Sequence, residues 1–218
     1  MTKQTKIAVT FGALVIVFMA VFVAMQLDPE TEVADATPTP APAATLDGNQ
    51  LGQPGSSNVT LVEYLDFECP ACGAAFPEVE KLRERYDGRV TFVTRYFPIP
   101  GHANAKNAAY AAEAAARQGK YEQMYRKLFT TQRQWAGRET SQAALFREYA
   151  QDLGLDMATY DADVASPEVA ARVSSDFDEG RRLGVGGTPW FFLNGTTVEG
   201  STFAELSQAI DSMIGQAT

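Results

Sequence analysis

From Val59 to Phe67 apolar and polar residues alternate, with many β-branched and aromatic side chains, which is the two-residue period of a strand. Val59, Leu61, Glu63, Leu65 and Phe67 share one face of that strand, so a carboxylate points where apolar groups prevail. From Cys69 the period lengthens. Phe76, Val79, Leu82 and Tyr86 recur on one helical face, and the helix is expected to end near Gly88. Val90 to Phe97 reads as a second strand closed by Pro98 and Pro100, followed by an Ala-rich helix over Asn104–Ala116. Further helical periods run over Tyr121–Thr131, Ser141–Leu153, Met157–Val164 and Glu168–Leu183. Trp190 to Leu193 is then a short buried strand, and Asn194-Gly195 is a two-residue hairpin turn into Thr196–Glu199. Thr202 and Glu205 have the spacing of a capping box for a last helix through about Ile214.

Strand, helix, strand, a block of helices, hairpin and helix together predict an α/β fold: a mixed sheet flanked by helices, with an all-helical insertion at about 103–183. The globular domain is placed at 58–216. Ahead of it, residues 28–57 read as a tether, because Thr37-Pro38-Thr39-Pro40-Ala41-Pro42 favours extended polyproline conformations and Gly48, Gly52, Pro54 and Gly55 continue the low complexity. Residues 1–27 hold an uncharged apolar run from Ile7 to Met25. As a helix it would span about 28 Å, close to the hydrocarbon thickness of a bilayer. Lys3 and Lys6 precede the run and the first acids, Asp28 and Glu30, follow it, so the N-terminus is expected in the cytoplasm and the rest outside. Two readings fit: a retained transmembrane anchor, or a signal peptide cleaved near Ala34-Asp35-Ala36 and a secreted product. Both export the domain.

The chain has 218 residues and a formal charge of −9. All 27 acids but only 16 of the 18 Lys and Arg lie after Leu27, so the exported part carries −11. That balance argues against general nucleic-acid binding, which needs a basic footprint. The 45% hydrophobic content supports a real core. With only two cysteines, Cys69 and Cys72, the fold is no disulfide-stapled miniature, and all the thiol chemistry sits in one place.

Phe67-Glu68-Cys69-Pro70-Ala71-Cys72 lies where strand becomes helix. A helix N-terminus offers free N–H groups and about half a positive charge, which stabilises a thiolate. Cys69, at the start, is expected to be the exposed nucleophile, and Pro70 suits the first helical turn. Cys72 follows on the same helical face, within reach of a reversible disulfide. The rival reading, half of a zinc site, needs four ligands, and the chain adds only one His, His102, to its two cysteines. An inert buried pair is a third reading. Glu63 has two readings as well: buried with a raised pKa, able to pass a proton near neutrality, or an edge residue with a solvated head. Gly184-Val185-Gly186-Gly187-Thr188-Pro189 is a tight irregular turn into a strand, with a cis Thr188–Pro189 bond as one option. His102 beside a helix start reads as structural, Trp190, Phe191 and Phe192 as core, and Tyr121, Tyr125 and Phe129 as helix core. Asp161, Asp163, Asp176, Asp178 and Glu179 read as a solvated acidic face.

Taken together, Leu61 to Cys72, Phe97-Pro98 with His102, the Ala-rich stretch through Glu113 and Gly187-Thr188-Pro189 resemble the DsbA-like thiol–disulfide oxidoreductases of the thioredoxin superfamily, in their membrane-anchored or exported branch. The resemblance covers about Gln50 to Gly215 and implies a thioredoxin-like fold with a helical insertion. It implies that Cys69 attacks, that Cys72 resolves, and that Glu63 is the buried acid shuttling a proton to the inner cysteine. Thr188-Pro189 matches the loop that pairs with substrate peptide, and Pro70 and Ala71 fall on the same substrate-facing side. The best-known oxidases of the family have His at Ala71 and Val at Thr188, so oxidising strength does not carry over directly. The activity implied is donation of the Cys69–Cys72 disulfide to exported proteins with cysteine pairs, with no cofactor and with a membrane redox partner that reoxidises the site. A reductase or isomerase of the same fold, and a non-enzymatic peptide-binding module, are the alternatives.

Overall fold

The structure is a computed structural model that describes residues 47–198 and 202–216. The apolar run Ile7–Met25 and most of the expected tether lie outside the described residues. No helix among the described residues is long and apolar enough to cross a membrane.

Five strands form one mixed sheet in the order β1-β3-β2-β4-β5. They are β1 (Asn49–Leu51), β2 (Val59–Leu65), β3 (Val90–Tyr96), β4 (Trp190–Leu193) and β5 (Thr196–Thr197). The central β2 runs parallel to β3, with Glu63 opposite Thr94, and antiparallel to β4, with Glu63 opposite Phe191. Helix α1 (Pro70–Arg85) leads from β2 to β3, as the change of period predicts. Between β3 and β4 five helices follow: α2 (Ala105–Arg117), α3 (Tyr121–Trp135), α4 (Ala143–Asp152), α5 (Met157–Val164) and α6 (Pro167–Arg182). Helix α7 (Phe203–Gln216) ends the domain. The capping box forms as spaced, with Thr202 N–H donating to Glu205 Oε2 at 2.7 Å and Glu205 N–H to Thr202 Oγ1 at 3.2 Å.

The range expected to be tether, residues 28–57, overlaps the sheet. Asn49–Leu51 pairs antiparallel with Phe92–Thr94, and the Asn49 side chain donates to Tyr96 Oη at 2.7 Å. A three-residue strand shows no period, so glycines on either side disguise it as spacer. The second hairpin strand is shorter than expected, Thr196–Thr197 rather than Thr196–Glu199, with Glu199 itself outside the described residues.

The sheet buries both faces. Leu61, Leu65 and Phe67 pack with Tyr86, Tyr125, Phe129, Leu206 and Ile210, contributed by α1, α3 and α7 and the turn after α1. Tyr64, Val93, Phe97 and Phe192 form the other layer, against Phe177 of α6. The Ala-rich α2 sits amid the insertion, its small side chains buried at Ala108, Ala111, Ala112, Ala114 and Ala115, which lets the neighbouring helices approach closely. The acidic face is not all solvated. Asp176 is fully buried and pairs with the buried Arg95 of β3 at 2.7 Å, Glu179 joins the same guanidinium, and Asp163 pairs with Arg117 at 3.0 Å. Burying α6 on the sheet requires Asp176 and Glu179 to be paired, because a lone buried charge costs several kcal/mol.

Gly180 is where α6 meets the sheet. A Cβ there would stand 2.8 Å from Phe97 and 2.9 Å from Tyr64. On an open helix Gly→Ala gains up to about 1 kcal/mol, whereas overpacking costs about 1–3 kcal/mol, so overlap decides the sign. Gly180→Ala is expected to destabilise the domain by about 1–2 kcal/mol, read as a lowered denaturation midpoint.

Candidate active site

Cys69 is the N-cap of α1, with extended backbone at φ −66 and ψ 123, and Pro70 occupies the first turn. The segment before it carries two buried carboxylates that look structural once their partners are named. Asp66 accepts from Glu68 N–H at 2.8 Å and Ile99 N–H at 3.0 Å, and lies 2.6 Å from His102 Nδ1. It thereby ties the end of β2 to the loop after β3. Glu68 accepts from Asn104 N–H at 2.6 Å and Gly137 N–H at 3.0 Å, which fastens the same turn to the insertion. Gln132 of α3 donates to the carbonyls of Phe67 and Cys69, both at 2.8 Å.

The two thiols, free in this structure, differ sharply. The Cys69 thiol is pulled down to about 5, first by a hydrogen bond from Cys72 and against its own burial; Thr188 and the N–H groups of Cys72 and Ala71 add to the pull. Cys69 Sγ lies 3.4 Å from the Thr188 carbonyl oxygen. The Thr188 hydroxyl is buried and has no hydrogen-bond partner. Cys72 goes the other way: burial first, then the hydrogen bond it gives to Cys69 and the nearby charges of Glu63 and Cys69, hold it well above an ordinary thiol. Cys69 is less open than expected, at 7% exposure, because the Thr188–Pro189 loop lies over it. Pro70 and Ala71 beside it are exposed.

Glu63 is buried, at 4% exposure, and its Oε2 has no hydrogen-bond partner. Burial, then repulsion from Glu80, raises its carboxyl to about 8. The register explains why no cation offsets this. Its neighbour on β3 is Thr94, whose hydroxyl is engaged with Tyr121 Oη at 2.5 Å. Glu63 therefore carries a proton near neutrality, close enough to Cys72 for its charge to be felt there.

The structure thus gathers Cys69, Cys72, Glu63, Pro70, Ala71, Thr188 and Pro189 at one end of the sheet, with the Thr188–Pro189 bond cis. His102 is structural in its contact with Asp66, as read, and lines a cleft with Glu68 and Pro70. Asp66, Glu68, Asn104 and Gln132 escaped the sequence reading. Only the run of acids before Cys69 hinted at the first two, and nothing in local pattern marks a glutamine inside a helix.

A dithiol at a helix N-terminus, under a cis-proline loop and over a buried acid, defines a thiol–disulfide oxidoreductase site. The chain belongs to the thioredoxin family, whose profile matches residues 47–212. A thioredoxin-like oxidoreductase from Silicibacter pomeroyi DSS-3 is 32% identical, with 77% of this chain and 92% of that one covered and a TM-score of 0.65. The solved structures of α-DsbA1 of Wolbachia pipientis (TM-score 0.70, 80% and 94% covered) and BdbD of Bacillus subtilis (0.68, 79% and 96%) share the fold at 19% identity. A Salinispora tropica protein named Na(+)/H(+) antiporter NhaA 3 is 39% identical over 173 residues, 78% of this chain but 26% of that protein. The chain spans about a quarter of the length of the curated relatives it matches, and the antiporter name describes the whole of those proteins.

Glu63 ties this geometry to stability. Its folded pKa of about 8 lies above the unfolded 4.5. A raised carboxyl contributes stability fully below the unfolded pKa, and that contribution is lost as pH rises through the folded one. Glu63→Gln is therefore expected to match wild type in acid and to exceed it increasingly from about pH 4.5 upward, levelling off above about pH 8 at a gain of ~3–5 kcal/mol. Denaturant titrations across that range check it.

Proposed function

We propose that this protein donates its Cys69–Cys72 disulfide to cysteine pairs of exported proteins, working outside the cytoplasmic membrane from an anchor at Ile7–Met25. The observation that carries the reading is the opposite displacement of two thiols three residues apart, Cys69 down to about 5 and Cys72 well up. At pH 7 a Cys69 thiol held near 5 stabilises the reduced form by roughly 2–3 kcal/mol over an ordinary thiol, which makes the disulfide more oxidising by roughly 40–70 mV.

In the forward reaction a substrate thiolate attacks Cys69 Sγ and the bond to Cys72 Sγ breaks. Cys72 leaves as a thiolate in surroundings that disfavour its charge, and the protonated Glu63 carboxyl supplies the proton. A second substrate thiolate then attacks the substrate sulfur of the mixed disulfide, and Cys69 departs as a stable thiolate. The substrate loses two electrons and forms its disulfide; this protein gains them as a dithiol. An electron acceptor in the membrane, which the family resemblance implies, restores the disulfide. The exposed Pro70 and Ala71 and the Thr188–Pro189 loop offer an uncharged platform on which an extended peptide can lie.

The oxidised protein, mixed with a reduced and unfolded substrate carrying one cysteine pair, is expected to convert that pair to a disulfide, followed by alkylating the remaining thiols. Cys69→Ala is expected to abolish transfer. Equal transfer by wild type and Cys69→Ala would sink the proposal, and transfer only from substrate disulfide to protein dithiol would make it a reductase.

A further inference from the structure

Gln132 belongs to the helical insertion, far along the chain from the cysteines, yet its carboxamide meets the redox turn on two sides. Its Nε2 donates to both the Phe67 and the Cys69 carbonyls, at 2.8 Å each, and the side chain is buried. Its Oε1 lies against Gly73 of α1 so closely that a Cβ on that glycine would overlap it. The Cys69 carbonyl also receives the first intrahelical bond of α1, from Gly73 N–H at 3.1 Å. The N-cap residue thus has its carbonyl held from two directions while its side chain makes no capping bond. Without Gln132 the Phe67 carbonyl would lose the donor that holds it, and the Cys69 carbonyl would keep only Gly73.

We propose that Gln132 is a positioning residue of the redox site: its carboxamide fixes the backbone from Phe67 to Cys69 so that the Cys69 sulfur faces the N–H groups opening α1. The inference rests on Cys69 being the exchanging thiol. The physical reason is angular. The N–H groups of Ala71 and Cys72 favour the thiolate only while the extended N-cap backbone keeps Sγ turned toward them, and a peptide released to rotate turns it away. Gly73 is the complement, since only a residue lacking Cβ leaves room for the carboxamide. By this account the insertion supplies a working part of the active site as well as a cover for it.

The test titrates the Cys69 thiolate by its ultraviolet absorbance, and measures the dithiol–disulfide equilibrium against glutathione, in wild type, Gln132→Ala, Gly73→Ala and the double variant. Thermal melts confirm that each is folded. Gln132→Ala is expected to raise the Cys69 midpoint by about one pH unit, a tenfold loss of thiolate below the midpoint, and to shift the equilibrium about tenfold toward the disulfide. Gly73→Ala, which keeps the glutamine but displaces it, is expected to move both readouts the same way. In the double variant the second change is expected to add nothing, because the contact is already gone. An unmoved midpoint in folded Gln132→Ala overturns the proposal, as do fully additive shifts. Should Gln132→Ala not fold, Gly73→Ala with an unmoved midpoint overturns it alone. A wild-type midpoint in the ordinary thiol range would instead refute the reading of Cys69, whatever the variants do.

Discussion

The Cys69 sulfur sits at the open end of a helix, where N–H groups without carbonyl partners face it, and the inner thiol three residues on donates to it. That arrangement constrains everything around it. The helix must start abruptly, so a proline with no N–H to lose stands in its first turn. The strand before it must end at the same point, which the carboxylate of Asp66 secures by taking the Glu68 N–H of the turn and the Ile99 N–H of the loop after β3. The thiolate is stabilised at the expense of Cys72, which is buried and denied a charge, so a proton source has to lie beneath it. In the proposed mechanism Glu63, a buried carboxyl on the central strand, is that source.

Polar side chains of the helical insertion reach into the turn that carries the cysteines. Glu68 binds the N–H of Asn104 at the start of α2 and that of Gly137 after α3, and Gln132 binds the turn's carbonyls. Buried polar contacts of this kind are costly when half satisfied and rigidifying when complete. Glu68 has a partner on each oxygen and Gln132 spans both carbonyls of the turn, whereas Glu63 keeps one buried oxygen without a partner, as the proposed proton transfer needs. The ion pairs of Arg95 with α6 fasten the far face of the sheet in the same spirit, by pairing charges that burial would otherwise expel.

Most of the fold was legible because each long element has its own period. Val59–Leu65 alternates, α1 repeats Val79, Leu82 and Tyr86 on one face, and Asn194-Gly195 turns the hairpin. The chemistry was legible at Cys69 and Cys72 because spacing alone places both at a helix start. Glu63 was half legible: the strand face was right, but burial depends on Thr94 and the helices packed over it, which no local window contains. Asn49–Leu51 is too short to show a period and was hidden among glycines. The acids of α6 read as a solvated face because their partner, Arg95, comes from a strand far upstream in sequence. Gln132 left no signal at all, since a glutamine in an amphipathic helix looks the same whether it meets water or two carbonyls.

The central claim is that the asymmetry of the two thiols makes this disulfide an oxidant. The most direct measurement is the reduction potential of the Cys69–Cys72 couple at pH 7, taken from its equilibrium with glutathione. A thiolate stabilised at the helix end predicts a value above thioredoxin's ~−270 mV, by roughly 50 mV, toward the ~−120 mV of the strongest oxidants of this fold. A value at or below ~−270 mV would contradict it and leave a site built to reduce disulfides rather than to make them.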